Sequence, residues 1–500
     1  MDRFRGFQRC VTGLPLLFAL LAPYAACAQT SPGVNTNPND NQASMYQAIK
    51  VVCPRLAALL RDPAAKPTED EKNLFITCNR VLNATGGATS DQVGTATQML
   101  TAEESNAATT SAVNFGTVNR SSIADRLLTL RTASGGTTVA SLADPRVIAS
   151  GHSGGASGDT ESSVSDGRLG VYVQGFYGSG SKDRTKLEND YDVSATGVLA
   201  GMDYQFADNF VGGIAIAYSE NDADFKRDSF GTAIDGSSFD SDGITGSIYG
   251  SVYGDRYYAD VIGTYGNIDY SSVREIKYTI TASAANLPGS NPPIPLPTTQ
   301  NVDAVAKGDT SGDTFGIGVG GGYDFGSGPW RFGPIASINY FSVNIDGFSE
   351  KMVALPGAGG EVPLSARGLN LLYDDQAARS LQIQQGLDFA YTAGLSWGVV
   401  VPYGSIVWVY ETKDDQESFK LRYVSDPCAR SATNANGGFT NCANLNVTSD
   451  DPDRSYFLWN VGVSTVLAGG LSGFVNYSSV ASLSTISYGA VTVGARYQFH

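Results

Sequence analysis

From residue 168 onward, apolar and polar residues alternate in short runs. In the last run Val491, Val493, Ala495, Tyr497 and Phe499 alternate with Thr492, Gly494, Arg496 and Gln498, so a strand there has one apolar and one polar face. Leu381, Ile383, Leu387 and Phe389 alternate with Gln382, Gln384 and Asp388, and Tyr191, Val193 and Ala195 with Asp192, Ser194 and Thr196. Upstream the period changes. Met45, Ile49, Val52, Leu56 and Leu59 recur at three- and four-residue steps, which predicts an amphipathic helix that Pro54 should kink or restart. Thr68 and Glu71 form a capping-box signature ahead of Leu74, Cys78 and Val81. Thr101 and Glu104 repeat that signature, and Ile123, Leu127 and Leu130 make a further stripe; such stripes are ordinarily core.

Between the two regimes, residues 135–167 are dominated by Gly, Ser, Thr and Asp, a composition with too little apolar surface to order itself. The chain is therefore expected to divide into a small, mainly α-helical unit at 29–134, a Gly/Ser-rich linker at 135–167, and a β-rich region at 168–500.

Alternation alone suits a soluble sandwich equally well, and the connections discriminate. Twelve strands are predicted, near 169–180, 191–206, 210–225, 241–253, 256–273, 312–326, 330–345, 379–392, 399–412, 454–467, 471–480 and 486–499. Links after even-numbered strands are tight, as at Ala207-Asp208-Asn209, Gly254-Asp255, Gly326-Ser327-Gly328-Pro329 and Ala468-Gly469-Gly470, whereas most links after odd-numbered strands are long and polar. An even number of antiparallel strands, with short turns at one end and long loops at the other, predicts a transmembrane β-barrel of twelve strands. Closure is physically required, because a bilayer has no water to satisfy an open strand edge.

The N-terminus places the chain in a compartment. Arg3, Arg5 and Arg9 precede an apolar stretch, and Ala26-Cys27-Ala28 supplies small residues for cleavage before Gln29, so residues 1–28 are expected to be a signal peptide. Beyond it, no run approaches the roughly 18 uninterrupted apolar residues of a spanning helix. The formal net charge is −16, and losing the leader, with three Arg and one Asp, makes the chain more acidic still. That disfavours nucleic acid as a partner. Cys53 with Cys78 and Cys428 with Cys442 fall into two local pairs in an exported chain, and two disulfides are expected.

The stretches GMDYQFADNFVGGIAIAYSENDADF (201–225), TGSIYGSVYGDRYYADVIGTYG (245–266), WGVVVPYGSIVWVYE (397–411), DPDRSYFLWNVGVSTVLAGGLSGFVNY (451–477) and VTVGARYQF (491–499) resemble, in this order, the barrel domain of classical autotransporters of type V secretion. Thr492, Gly494, Tyr497 and Phe499 match the barrel-assembly signal of such chains, although an edge-closing strand accounts for the same residues. The resemblance implies a barrel that translocates or anchors its own N-terminal passenger at the cell surface, with a helix left in the pore. The amphipathic segment around Ser121–Arg131 is the candidate for that helix. Implied partners are outer-membrane lipid and lipopolysaccharide, the barrel-assembly machinery and periplasmic chaperones; a monomeric barrel in the outer membrane is expected.

Gly151-His152-Ser153-Gly154-Gly155 fits the G-x-S-x-G pattern of a hydrolase nucleophile, yet the chain has two histidines and neither is placed as a general base. The linker reading is preferred. Asp235, Asp240 and Asp242, and Asp222 with Asp224, lack the spacing of a calcium loop and read as solvated loop charge. Residues 287–297, rich in proline, read as a stiff surface loop. No catalytic, cofactor or metal residues are assigned, and the chain is not expected to be an enzyme. Two alternatives to translocation remain: a tethered surface adhesin or structural protein, and a plugged pore-forming channel.

Overall fold

The computed structural model describes residues 38–499 apart from 83–87, 108–122, 124–126, 128–167 and the loop positions 284, 287–294, 327, 355–360, 414–417, 429–441, 452 and 468–469. Ala26, Ala28, Gln29, His152, Ser153, the linker and His500 lie outside these residues.

Helix α1 spans Asp40–Arg61 and opens on Asn39, whose side chain accepts from the Gln42 amide at 2.7 Å. The helix continues through Pro54, so the proline does not restart it. Proline removes the bond to the carbonyl four residues back, and here Pro54 and Lys50 both lie on the exposed face, where water can take over that acceptor. Helix α2, Glu69–Leu82, begins with the predicted capping box: Glu71 N donates to Thr68 Oγ1 at 3.2 Å and Thr68 N to Glu71 Oε2 at 2.7 Å. Helix α3, Ser90–Met99, has a box of its own, formed by Thr89 and Gln92. After the Thr101–Glu104 signature a 3₁₀ turn, Glu103–Ser105, leads into helical residues at 106 and 107, beyond which residues 108–122 lie outside the described residues. Thr101 follows α3, and its hydroxyl donates back to the Thr97 carbonyl at 2.7 Å. Cys53 and Cys78 join α1 to α2 with Cα atoms 5.7 Å apart, within disulfide range.

The barrel strands are β1 (Leu169–Lys182), β2 (Asp190–Ala207), β3 (Phe210–Arg227), β4 (Ser238–Tyr253), β5 (Tyr257–Thr281), β6 (Thr299–Tyr323), β7 (Trp330–Ile345), β8 (Gln376–Tyr391), β9 (Gly398–Glu411), β10 (Ser455–Leu467), β11 (Leu471–Ala481) and β12 (Ile486–Gln498). Each pairs antiparallel with its sequence neighbour, and β12 closes on β1 from Gly170↔Gln498 to Lys182↔Ile486. The main departure from the predicted strands is at β5 and β6. They continue past residue 273 and begin before residue 312, pairing without a break from Tyr257↔Tyr323 to Thr281↔Thr299. This projecting hairpin exists because one of its faces is buried, as described below.

Sidedness locates the membrane. On β3, Ile214, Ile216 and Tyr218 point outward and are exposed, while Ala215, Ala217, Ser219 and Asn221 point inward and are buried. Past Tyr218 the outward set becomes Glu220, Asp222, Asp224 and Lys226, and the inward set becomes Ala223 and Phe225. The bilayer therefore ends near Tyr218. At the short-turn end, Tyr204, Phe206, Phe210, Tyr323, Phe325, Phe332, Trp330, Tyr391, Tyr497 and Phe499 form an aromatic girdle of touching rings, such as Phe206–Phe210 at 5.5 Å and Trp330–Tyr391 at 4.7 Å. Eight residues of a strand tilted by about 40° rise roughly 20 Å, which fits an apolar band between Phe210 and Tyr218.

At the long-loop end, residues 348–349, 371–373, 418–423 and 445–448 form a separate four-stranded antiparallel sheet. The Cys428–Cys442 disulfide, Cα atoms 5.2 Å apart, lies in the link that carries two of these strands.

The capped barrel as candidate functional site

The lumen is lined by inward residues of every strand, mostly small or polar. Gln174, Thr245, Thr264, Asn339, Gln384, Ser464, Asn476 and Thr492 are all buried. Near the short-turn end Arg496 Nη2 lies 2.9 Å from Asp203 Oδ1, tying β12 to β2 across β1. Apolar patches interrupt this polar lining. Tyr172, Leu199, Ala215, Ala217, Tyr249 and Ile262, from β1 to β5, cluster with Ile123 and Leu127, two fully buried helical residues four apart. Positions i and i+4 share one helical face, so part of the segment proposed as a pore helix lies against the inner wall. The remainder of Ser121–Arg131 falls outside the described residues.

The helical unit sits on the long-loop end. Its buried side chains, Met45, Ile49, Leu56, Leu74, Phe75 and Met99 among them, form one continuous apolar cluster with Tyr191, Val193 and Phe225 of the barrel rim and with Ile276, Tyr278, Ile280, Val302, Ala304 and Ala306 of the β5–β6 projection. Inward Arg274, Ile276, Tyr278 and Ile280 are at most 4 % exposed, whereas outward Lys277 and Thr279 face solvent. Alternation of VREIKYTI (273–280) is the signal that marks this extension in the sequence; it was missed because a membrane strand needs no such length.

Polar contacts fasten the same joint. Arg274 is bidentate to Glu350, Nε to Oε1 at 2.8 Å and Nη2 to Oε2 at 2.6 Å, and its Nη1 donates to the Met99 carbonyl at 3.2 Å. The Tyr373 hydroxyl and the Leu371 amide also donate to Glu350, and burial, reinforced by the Glu350 charge, pushes the Tyr373 hydroxyl well above its ordinary range. Glu103, 2 % exposed, is held by amides of Asn39, Asn41 and Gln98. Burial nonetheless pushes its carboxyl up to about 8, against the opposing pull of its hydrogen bonds. Burial pushes Glu104 up to about 7, with Arg274 pulling the other way.

Asp426 accepts from Arg55 Nη1 at 3.2 Å, Cys428 N at 3.1 Å and Ala443 N at 3.2 Å, linking α1 to the second disulfide loop. Asp426, Cys428 and Cys442 are close enough to suggest a metal, but both thiols are consumed in the disulfide. Asp222, Asp224, Asp240 and Asp242, read from sequence as loop charge, are strand residues instead: Asp222 pairs with Asp240 on the outer face of β3 and β4. Their strands continue above the bilayer, where outward carboxylates are solvated. Thr492 and Gly494 face the lumen, and a side chain at Gly494 would collide with the Phe474 ring; Tyr497 and Phe499 face outward in the girdle.

Residues 171–478 match the autotransporter beta-domain family. Among curated proteins, the chain is 24 % identical over 261 residues to the esterase EstA of Pseudomonas aeruginosa, covering 51 % of this chain and 34 % of that protein. It is 27 % identical over 175 residues to an uncharacterized protein of the trpE-trpG intergenic region of Pseudomonas putida, covering 35 % of this chain and 24 % of that one. The chain thus spans a third or less of the length of these relatives. Among solved structures, it is similar to the translocator domain of the autotransporter NalP from Neisseria meningitidis, with a TM-score of 0.46 and 13 % identity over 67 % of this chain and 90 % of that one. The family match covers more than half of a chain whose strands close into an antiparallel barrel with an apolar belt, and the protein belongs to the autotransporter family as an outer-membrane β-barrel.

Proposed function

We propose that the barrel exports its own N-terminal helical unit and holds it at the cell surface. One observation carries this reading. The helical unit lies at the long-loop end, Ile123 and Leu127 lie in the lumen, and β1 begins at the short-turn end. A chain threaded this way has its N-terminal part on the far side of its own barrel. An antiserum against residues 40–107, applied to intact cells, is expected to label them; labelling that needs prior permeabilisation of the outer membrane would overturn the reading.

Further assignments belong to the same proposal. Cleavage after Ala28 frees Gln29, and the linker at 135–167 joins a passenger at 29–134 to the barrel domain at 168–500. Thr492, Gly494, Tyr497 and Phe499 address the barrel to its assembly machinery, with periplasmic chaperones upstream and lipopolysaccharide around the long-loop end of the apolar belt. A Phe499→Ala variant is then expected to accumulate unassembled, read as lost heat-modifiable migration in electrophoresis. The chain performs no hydrolysis of its own: the esterase named among its relatives matches over only 34 % of that protein's length, and a Ser153→Ala variant should leave any ester-cleaving background of the cells unchanged.

A further inference from the structure

We infer that residues 40–107 are a retained lid, seated on the β5–β6 projection and latched by Arg274, rather than a passenger released from the cell. The inference rests on the exported orientation proposed above.

A fragment built to leave needs a closed interior of its own. This one lacks it. Its core continues into the barrel: Met45 is fully buried and its sulfur accepts from the Tyr423 hydroxyl at 3.4 Å, and Ile276, Ile280, Val302 and Ala304 of the projection are fully buried in the same cluster. Departure of the lid would expose apolar surface on both sides of the joint, which opposes it.

The attachments surround the mouth. The Asn41 side chain donates to the carbonyls of Leu187 and Thr448 at 3.2 and 3.1 Å and accepts from the Thr448 amide at 2.8 Å. Asn39 reaches Ser229 at 3.3 Å, Gln300 donates to Thr77 at 2.6 Å, and Thr281 donates to Gln92 at 3.0 Å. Arg55 and Asp426 close the remaining side. Links after β1, β3 and β9 and the outer ends of β5 and β6 are thus all engaged, and the link after β7 supplies Glu350. Arg274 and Glu350 are 3 % and 2 % exposed at their side chains. Removing α3 would take away the Met99 carbonyl and leave a polar cluster of the barrel partly unpartnered, an unfavourable outcome for buried charge.

Thiol accessibility on intact cells tests this, since the four native cysteines described are oxidised. In the full chain, Ala304→Cys beneath the lid and Thr279→Cys on the opposite face are treated with a membrane-impermeant maleimide. Thr279→Cys is expected to label at least tenfold faster. Deleting residues 40–107, or adding Arg274→Ala, should bring Ala304→Cys up to the Thr279→Cys rate. Val302→Cys serves as a second reporter if Ala304→Cys does not assemble. Equal rates in the intact chain, a protected Ala304→Cys after deletion, or a fragment containing residues 40–107 in the medium would each overturn the lid. Failure of the antiserum to reach intact cells is a separate result, which removes the exported orientation itself.

Discussion

The membrane half and the surface half of the same strands are built inside out with respect to each other. Within the bilayer β3 turns Ile214 and Ile216 outward and Ala217 and Ser219 inward; above it, Asp222 and Asp224 face out and Ala223 and Phe225 face in. Period and hydrogen bonding do not change along the strand. What changes is the solvent on each side: lipid outside and a polar lumen below, water outside and the helical unit above. Each side chain follows the medium it meets, so the inversion marks both the edge of the bilayer and the start of the seat.

The largest effect should come from violating the lower half. Ile248→Arg places a charge on the outward face of β4, 67 % exposed in the belt, and is expected to cost about 2–4 kcal/mol, read as loss of assembled barrel in a heat-modifiability assay. Asp224→Arg, outward on the neighbouring strand but above the bilayer, should assemble normally; an equal loss there would erase the comparison. Ile276→Ala strikes the upper half alone. Its inward side chain is fully buried, and the cavity should cost the seat about 2–4 kcal/mol while the barrel still migrates as folded, with limited proteolysis now cutting within residues 40–107. Replacing both Cys53 and Cys78 with Ser frees a 25-residue separation and should lower the unfolding free energy of the helical unit by about 3 kcal/mol, again without touching the barrel.

The smallest effect is the dependence on pH. Glu103 and Glu104 have carboxyls raised by burial, to about 8 and about 7. An acid whose folded value is raised contributes stability that is complete below its unfolded value near 4.5 and is lost as pH climbs through the folded value. Protection of the helical unit from protease should therefore decline from pH 5 toward pH 8, and Glu103→Gln should flatten the slope. A profile rising with pH would contradict the burial of these carboxyls.

Much of this organisation was legible in the sequence. The strand ends at 169, 210, 330, 345, 471 and 486 coincide with those observed, because Gly, Asn and Asp in the tight turns and the period of two are local signals. Thr68 and Glu71 were legible for the same reason. Harder to read were features set by a distant partner. Tyr191, Val193 and Ala195 alternate as clearly as Val491, Val493 and Tyr497, yet the first set faces inward beneath the lid and the second faces lipid. Pro54 is tolerated within α1 because its face of the helix is exposed.

The sequence by itself determined the helix-to-strand change of period, the twelve strands with their short and long links, and two cysteine pairs, since all of these depend on neighbours within a few residues. Only the tertiary structure decided which face of each strand meets lipid, that β5 and β6 outgrow the membrane, that Ile123 and Leu127 lie in the lumen, and that the helical unit shares its core with the barrel mouth. Those choices depend on the medium and on surfaces hundreds of residues apart, as with Asn41 and Thr448, and alternation of polarity carries no information about either.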